Sequence, residues 1–209
     1  MRKIYLIRHG QTDFNVAGRI AGQIETDLTE LGKEQAFACA LNLKNNNIRF
    51  DAILCSTLRR AKDTAAIIAG VIPAPIIEDA DLQEFSNGIY EGVKVEELQK
   101  MVFNPPYETA GIKFVNGADL WAAYSSFDKR YNALSYPGGE SKEQACRRFM
   151  NAIEKYLKAN PEVQNLAVVA HGAVIRFMLS AVCPETLTEK IKNAEARLLY
   201  YDETKGFYA

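Results

Sequence analysis

The strongest constraint on this chain is a pair of apolar runs that each end in His-Gly. Lys3-Ile4-Tyr5-Leu6-Ile7 leads into Arg8-His9-Gly10, and Leu166-Ala167-Val168-Val169-Ala170 leads into His171-Gly172. Both runs have strand length and little polar interruption, the pattern of a parallel strand buried on both faces. Open α/β sheets bind ligands outside the carboxyl ends of such strands. The chain holds 2 histidines, and both stand at these ends. Two neighbouring strands would therefore deliver two imidazoles to one site, with the remaining chain as scaffold and substrate walls.

The intervening sequence alternates strand and helix signals, as parallel βαβ units do. Residues 10–28 lack periodicity and read as a loop. Thr29 is a candidate N-cap. Leu31, Ala36, Phe37, Ala40, Leu41 and Leu43 make an approximate helical face that Asn45-Asn46-Asn47 stops. Residues 51–55 form a second buried strand, and Ser56 or Thr57 caps a helix carrying Leu58, Ala61, Ala65, Ile68 and Ala69 inward. Pro73 and Pro75 begin a connection through Ile76-Ile77 to a Gly-punctuated loop ending at Gly92. A short helix is predicted over 93–101, stopped by Asn104-Pro105-Pro106. Trp121, Tyr124, Phe127 and Tyr131 follow at helix-like spacing, read mainly as packing and secondarily as a lid over the substrate. Ser141 with Gln144 fits a capping box for a helix to about residue 157. A helix over 173–182 follows the second histidine, and residues 196–201 form a last strand, at an edge or inside the sheet. The expectation is one domain over 1–209, a three-layer α/β/α sandwich with a mainly parallel central sheet. An aromatic-rich insertion at about 93–136 would cap the site.

At 209 residues and 48% hydrophobic, the chain can bury one sizeable α/β core. A net charge of −1 and a pI near 6.2 give no basic field for nucleic acid or a membrane surface. The 4 cysteines (Cys39, Cys55, Cys146 and Cys183) form no CxxC pair or Cys/His cluster, and read as core residues in a reducing compartment. No run suits a signal peptide or a membrane span, so the cytoplasm is the expected location. Two copies could pair through a sheet edge at Leu198-Leu199-Tyr200-Tyr201, giving a homodimer.

Arg8, His9 and His171 can share their site with Arg60, which lies at another strand end and helix start. Arginine matches the geometry of phosphate or carboxylate, and imidazole can be nucleophile, proton donor or ligand. A helix start also favours an anion. A phosphate group fits this set, whereas the arginines would repel a metal cation and the histidines lack metal-ligand spacing.

These segments resemble, in order, the signature of the histidine phosphatase superfamily, the phosphoglycerate-mutase-like fold. Leu6-Ile7-Arg8-His9-Gly10-Gln11-Thr12-Asp13-Phe14-Asn15 is similar to its first motif. Ser56-Thr57-Leu58-Arg59-Arg60-Ala61 resembles its second-arginine segment, and Leu82-Gln83-Glu84-Phe85 through Glu91-Gly92 its acid segment. Pro137-Gly138-Gly139-Glu140-Ser141 is similar to its turn, and Val169-Ala170-His171-Gly172 through Arg176 to its second-histidine segment.

The resemblance implies a two-step phosphoryl transfer. His9 would attack phosphorus, while Arg8, Arg60 and His171 hold the non-bridging oxygens. Asn15 would add a neutral hydrogen bond, and Gly22, Gln23 and Gly172 complete the phosphate- or substrate-binding set. Glu84 would protonate the leaving oxygen and then activate the water that hydrolyses phosphohistidine. No metal and no cofactor are implied, and the substrate would be a small phosphate ester. The chain departs from the family at Ala21, Glu25, Asp27 and Ala170, around the pocket rather than in the phosphate-binding set. Phe85-Ser86-Asn87-Gly88 lacks the arginine and tyrosine that the mutases place there, which favours a phosphatase. Two alternatives stand beside it: a phosphoglycerate-type mutase, and a non-catalytic module that binds phosphorylated ligands.

Overall fold

A computed structural model gives the structure of the protein and describes residues 1–126, 128–183 and 190–209. The first half runs β1 (Arg2–Arg8), α1 (Asp13–Val16), α2 (Glu30–Asn45), β2 (Ala52–Ser56), α3 (Arg59–Val71) and β3 (Ile76–Asp79). It continues with α4 (Val95–Lys100), β4 (Val102–Thr109), β5 (Ile112–Asn116) and α5 (Gly117–Ser125). Then come α6 (Lys142–Ala159), β6 (Asn165–Ala170), α7 (Gly172–Val182), β7 (Ala196–Asp202) and β8 (Gly206–Tyr208).

The central sheet has the order β3-β2-β6-β1-β7-β8. Its first four strands are parallel, and β7 and β8 add an antiparallel edge. Strand periodicity sorts the side chains between two faces. Ile4, Leu6, Leu54, Leu166 and Val168 point to the face covered by α6 and α7 through Phe149, Ile153, Val174 and Met178. Tyr5, Ile7, Ile53, Ala167 and Val169 point to the face where α2 and α3 supply Ala40, Leu43, Ala61, Ala65 and Ile68. This is the expected α/β/α sandwich. Each such buried Leu or Ile side chain contributes about 1.5–3 kcal/mol.

The central pairing places the site. β1 runs beside β6 in a register that opposes Arg8 to Ala170, and His9 N–H donates to Ala170 O at 2.9 Å. The residues after the two strands are thus neighbours, as the repeated His-Gly ending implies.

Several expectations are corrected. The buried side of α2 is Gly32, Ala36, Ala40 and Leu43, while Leu31, Phe37 and Leu41 are exposed. Small residues face inward because the chain packs closely there: a Cβ on Gly10 would stand 2.2 Å from Gly32 O. Thr29 does cap α2, accepting from Gly32 N. Ser56 belongs to β2 and is not the cap of α3, whose N-cap position is Leu58 and carries no side-chain cap. Ile76-Ile77 is not a plain connection but the start of β3, paired with β2.

The short helix expected over 93–101 forms as α4, and the stretch after it, which carried no strand prediction, is a hairpin of β4 with β5. Pro105 and Pro106 sit where its register shifts, so they cost no regular ladder bonds. Its turn places Ala110 (φ 50°) and Gly111 (φ 73°) in the left-handed region, as tight hairpins require. Trp121 and Tyr124 lie on α5, but that helix ends at Ser125 and Tyr131 lies beyond it, so they form no single stripe. Phe127 falls outside the described residues. Residues 198–201 lie within β7 and pair with β1, and β8 covers the other side of that strand at Tyr200–Asp202, so β7 is internal there while Leu198 and Leu199 have no β8 partner. The Ser141–Gln144 capping box forms as expected.

Candidate active site

His9 leaves the end of β1 in a backbone clamped from two sides. Gly10 N–H donates to Thr64 Oγ1 at 3.1 Å, and Gly10 and Gly32 cross too closely for a side chain on either. His9 Nδ1 lies 2.7 Å from Gly10 O. A carbonyl oxygen only accepts, so Nδ1 carries the proton and Nε2 keeps its lone pair. His9 is 4% exposed. Burial lowers its pKa well below the ordinary histidine value, and the positive charges of Arg60 and Arg8 lower it further. His9 is therefore a neutral imidazole with a basic Nε2.

The ring centroid of His171 is 5.2 Å from that of His9. Arg60 Nε, which only donates, lies 3.2 Å from His171 Nδ1, so His171 carries its proton on Nε2. That N–H donates to Ser56 Oγ at 2.7 Å. Burial and then Arg60 likewise lower the His171 pKa well below the ordinary value. Both ring nitrogens are engaged, by Arg60 and by Ser56, and His171 stands behind Arg60 rather than in the lining of the cavity. Direct contact with a bound phosphate would require the ring to release one partner. Ser56 thus fixes the second histidine, a role the sequence did not signal because the hydroxyl comes from a strand 115 residues away.

Arg60 is fully buried. Besides His171, it donates to Ile24 O at 2.8 Å, Thr26 Oγ1 at 3.4 Å and Gly22 O at 2.7 Å. Gly22 therefore serves the site through its carbonyl, in a left-handed conformation (φ 49°) with Glu91 pressed against its Cα. Arg8 donates to Ile191 O at 2.7 Å, while its Nε is buried without a hydrogen-bond partner among the described residues. A Cβ on Gly172 would meet that guanidinium at 3.2 Å, so the glycine lets Arg8 lie against the start of α7.

Glu84 reaches the same helix start. Its Oε2 accepts from Ala173 N–H at 3.1 Å, and Oε1 accepts from Val174 N–H at 3.1 Å and Phe85 N–H at 2.9 Å. The carboxylate caps α7, where unpaired N–H groups and the helix dipole favour negative charge. Asn15 Oδ1 accepts from Thr12 N–H at 3.2 Å and Asn193 Nδ2 at 3.0 Å, which leaves its Nδ2 as the donor for a ligand. Gln23 turns away from this role and donates to Glu84 O at 3.1 Å.

Arg8, His9, Asn15, Gly22, Arg60, Glu84 and Gly172 all line one cavity of about 530 Å³. Trp121, Tyr124, Tyr136 and Phe177 wall it, with Tyr124 stacked on Tyr136 at 3.7 Å. The aromatic segment thus both packs and lines the pocket. Arg176 lines it too and adds a cation that had stood out only as the end of a motif. Among the described residues, no group of three or more His, Cys, Asp or Glu side chains is placed to hold a metal ion.

Two imidazoles, two guanidiniums and a helix start converging at parallel strand ends define an α/β protein with a site for a phosphate group. The chain belongs to the histidine phosphatase superfamily, branch 1, whose family model matches residues 4–207. It is similar to the metal-independent phosphoserine phosphatase of Arabidopsis thaliana, at 36% identity over 206 residues, covering 97% of this chain and 78% of that protein. It is 31% identical over 198 residues to a Yersinia pestis protein named "Probable phosphoglycerate mutase GpmB", covering 95% and 80%. Among solved structures, the native mycobacterial glucosyl-3-phosphoglycerate phosphatase is 27% identical with a TM-score of 0.76, covering 95% of this chain and 89% of its own. The protein is an enzyme of the phosphatase type, and no helix among its described residues is long and apolar enough to cross a membrane.

Proposed function

We propose that this enzyme hydrolyses a small phosphorylated metabolite in the cytoplasm through a phosphohistidine at His9 Nε2, without a metal. The observation that carries this reading is the His9–Gly10 hydrogen bond. It puts the ring proton on Nδ1 and leaves Nε2 basic in a pocket whose arginines oppose a further positive charge. In the first step Nε2 forms a bond to phosphorus while the bond from phosphorus to the ester oxygen breaks, and Glu84 gives that oxygen a proton. In the second step water attacks phosphorus, Glu84 takes its proton, the Nε2–phosphorus bond breaks and orthophosphate leaves. Arg8, Arg60 and the Asn15 amide face the charge that builds on the non-bridging oxygens. One such donor contributes about 10²–10³-fold in rate.

The roughly 530 Å³ cavity suits a small ester, and the Arabidopsis relative is named for phosphoserine. In this reading the chain is one domain, and its 93–136 segment caps the site with Trp121 and Tyr124. The test is hydrolysis of p-nitrophenyl phosphate in EDTA, comparing wild type with His9→Ala. Wild-type turnover that the substitution abolishes is the expected result, and turnover that survives the loss of His9 refutes the mechanism. A mutase would instead need a bisphosphorylated activator for turnover.

A further inference from the structure

Arg148 of α6 touches no part of the cavity, yet each of its five N–H donors has a partner. Nε donates to Glu140 Oε2 at 2.9 Å, and one NH2 hydrogen to Glu140 Oε1 at 2.5 Å. The other NH2 hydrogen goes to Glu84 O at 2.9 Å, and the NH1 pair to Asp81 O and Gln83 O, both at 2.7 Å. Glu140 Oε1 in turn accepts from Ser86 N–H at 2.9 Å, and Glu140 N–H donates to Ser86 O at 3.2 Å. One largely buried ion pair, with its side chains 19% and 17% exposed, thus grips the backbone on both sides of Glu84. The two partners come from different elements, Arg148 from the second turn of α6 and Glu140 from the glycine turn before it.

We propose that Arg148 and Glu140 form the positioning device for the acid: they set where the Glu84 carboxyl stands against the leaving oxygen, and so govern proton delivery without touching substrate. The inference rests on the reading of Glu84 as the proton donor. The N–H groups of Phe85, Ala173 and Val174 hold the Glu84 carboxylate itself, while the clamp holds the loop backbone from which that side chain reaches them. Gln23 Nε2 also donates to Glu84 O, and Asn87 Nδ2 to Phe85 O. A planar guanidinium spans the three carbonyls and the carboxylate at once, which an ammonium group cannot do. Displacing a reacting group by about 1 Å costs on the order of 100-fold.

Leaving-group dependence separates this role from simple loss of structure. An alkyl alcohol leaves as an unstable anion unless it is protonated, whereas p-nitrophenolate leaves unaided. We expect Arg148→Lys to lower kcat/KM by about 30–100-fold on an alkyl phosphate and by less than about 3-fold on p-nitrophenyl phosphate. Because kcat/KM reports steps up to alcohol release, later use of Glu84 with water does not enter. Glu140→Gln, which keeps the side-chain shape, repeats the test where Arg148→Lys fails to fold. Glu84→Gln provides the reference pattern. Selective loss in Glu84→Gln with matching selectivity in the clamp variants supports the proposal. Selective loss in Glu84→Gln with equal losses on both esters in the clamp variants overturns the clamp alone. Equal losses in Glu84→Gln refute the acid role itself, and the positioning role with it.

Discussion

Lys142, at the start of α6, buries an ammonium group beside the cavity wall: the residue is 4% exposed, and its Nζ donates to Ala123 O at 3.0 Å and Ser126 O at 2.8 Å. These carbonyls end α5, the helix that carries Trp121 and Tyr124, and Nζ lies 5.8 Å from the Tyr124 ring centroid. A cation at a helix carboxyl end is favourable, but burial dominates and brings the Lys142 pKa down from 10.5 to about 8. Arg176 adds to the fall, and Asp128 opposes it. A change of this size, at 1.36 kcal/mol per pH unit, amounts to about 3 kcal/mol held against the folded state while the lysine is charged. The folded value lies below the unfolded one, so between about pH 8 and pH 10.5 the unfolded chain binds the extra proton. Stability therefore rises with pH through that window. Between pH 7 and pH 10 the contribution changes by about 2.5 kcal/mol. Lys142→Met removes the proton, and comparing the two proteins cancels other groups that titrate in the same range. Urea unfolding at pH 7 and pH 10 should show wild type gaining about 2–3 kcal/mol relative to the variant as pH rises. A difference that stays constant, or shrinks, refutes the account of a charge buried at the end of α5.

The tautomers assigned to the two histidines are open to nitrogen NMR. Both rings should be neutral at pH 6, with the proton on Nδ1 of His9 and on Nε2 of His171, because burial and the arginines lower both pKa values. A charged ring at that pH contradicts the electrostatics of the site. Gly32→Ala tests the crossing behind His9. In an ordinary helix the change stabilises by about 0.5–1 kcal/mol, but here the new Cβ would stand 2.0 Å from Gln11 O. The expected result is a destabilisation of about 2–3 kcal/mol with reduced kcat, and a raised melting temperature would show that the loop yields.

Local signals proved legible wherever their cause is local. The caps at Thr29 and at Ser141 with Gln144 form as read, since an N-cap needs only a side chain within reach of its own helix's first turn. β1 and β6 announce themselves because strands buried on both faces are apolar at nearly every position. Elements fixed by a neighbour were not legible. β3 and β8 are 4 and 3 residues long and exist through pairing with β2 and β7. The β4–β5 hairpin carries two prolines and an Ala-Gly turn in place of the usual Asn-Gly signal. In α2 the apolar residues lie on two faces, and only the contact with the first loop selects Gly32, Ala36 and Ala40 as the buried one.

The same division runs through the site. From the sequence alone come the α/β class, the meeting of His9 and His171 at adjacent strand ends and the gathering of Arg8 and Arg60 beside them, because residue types and strand ends are properties of short segments, while Asn15 entered only through the family resemblance. The tertiary structure alone decides which nitrogen of each imidazole holds its proton, that Ser56 anchors His171, that Glu84 caps α7, and that Arg148 grips the loop bearing Glu84. Each of these is set by a hydrogen bond between side chains or backbone far apart in the chain, and the direction of such a bond depends on where folding brings the donor.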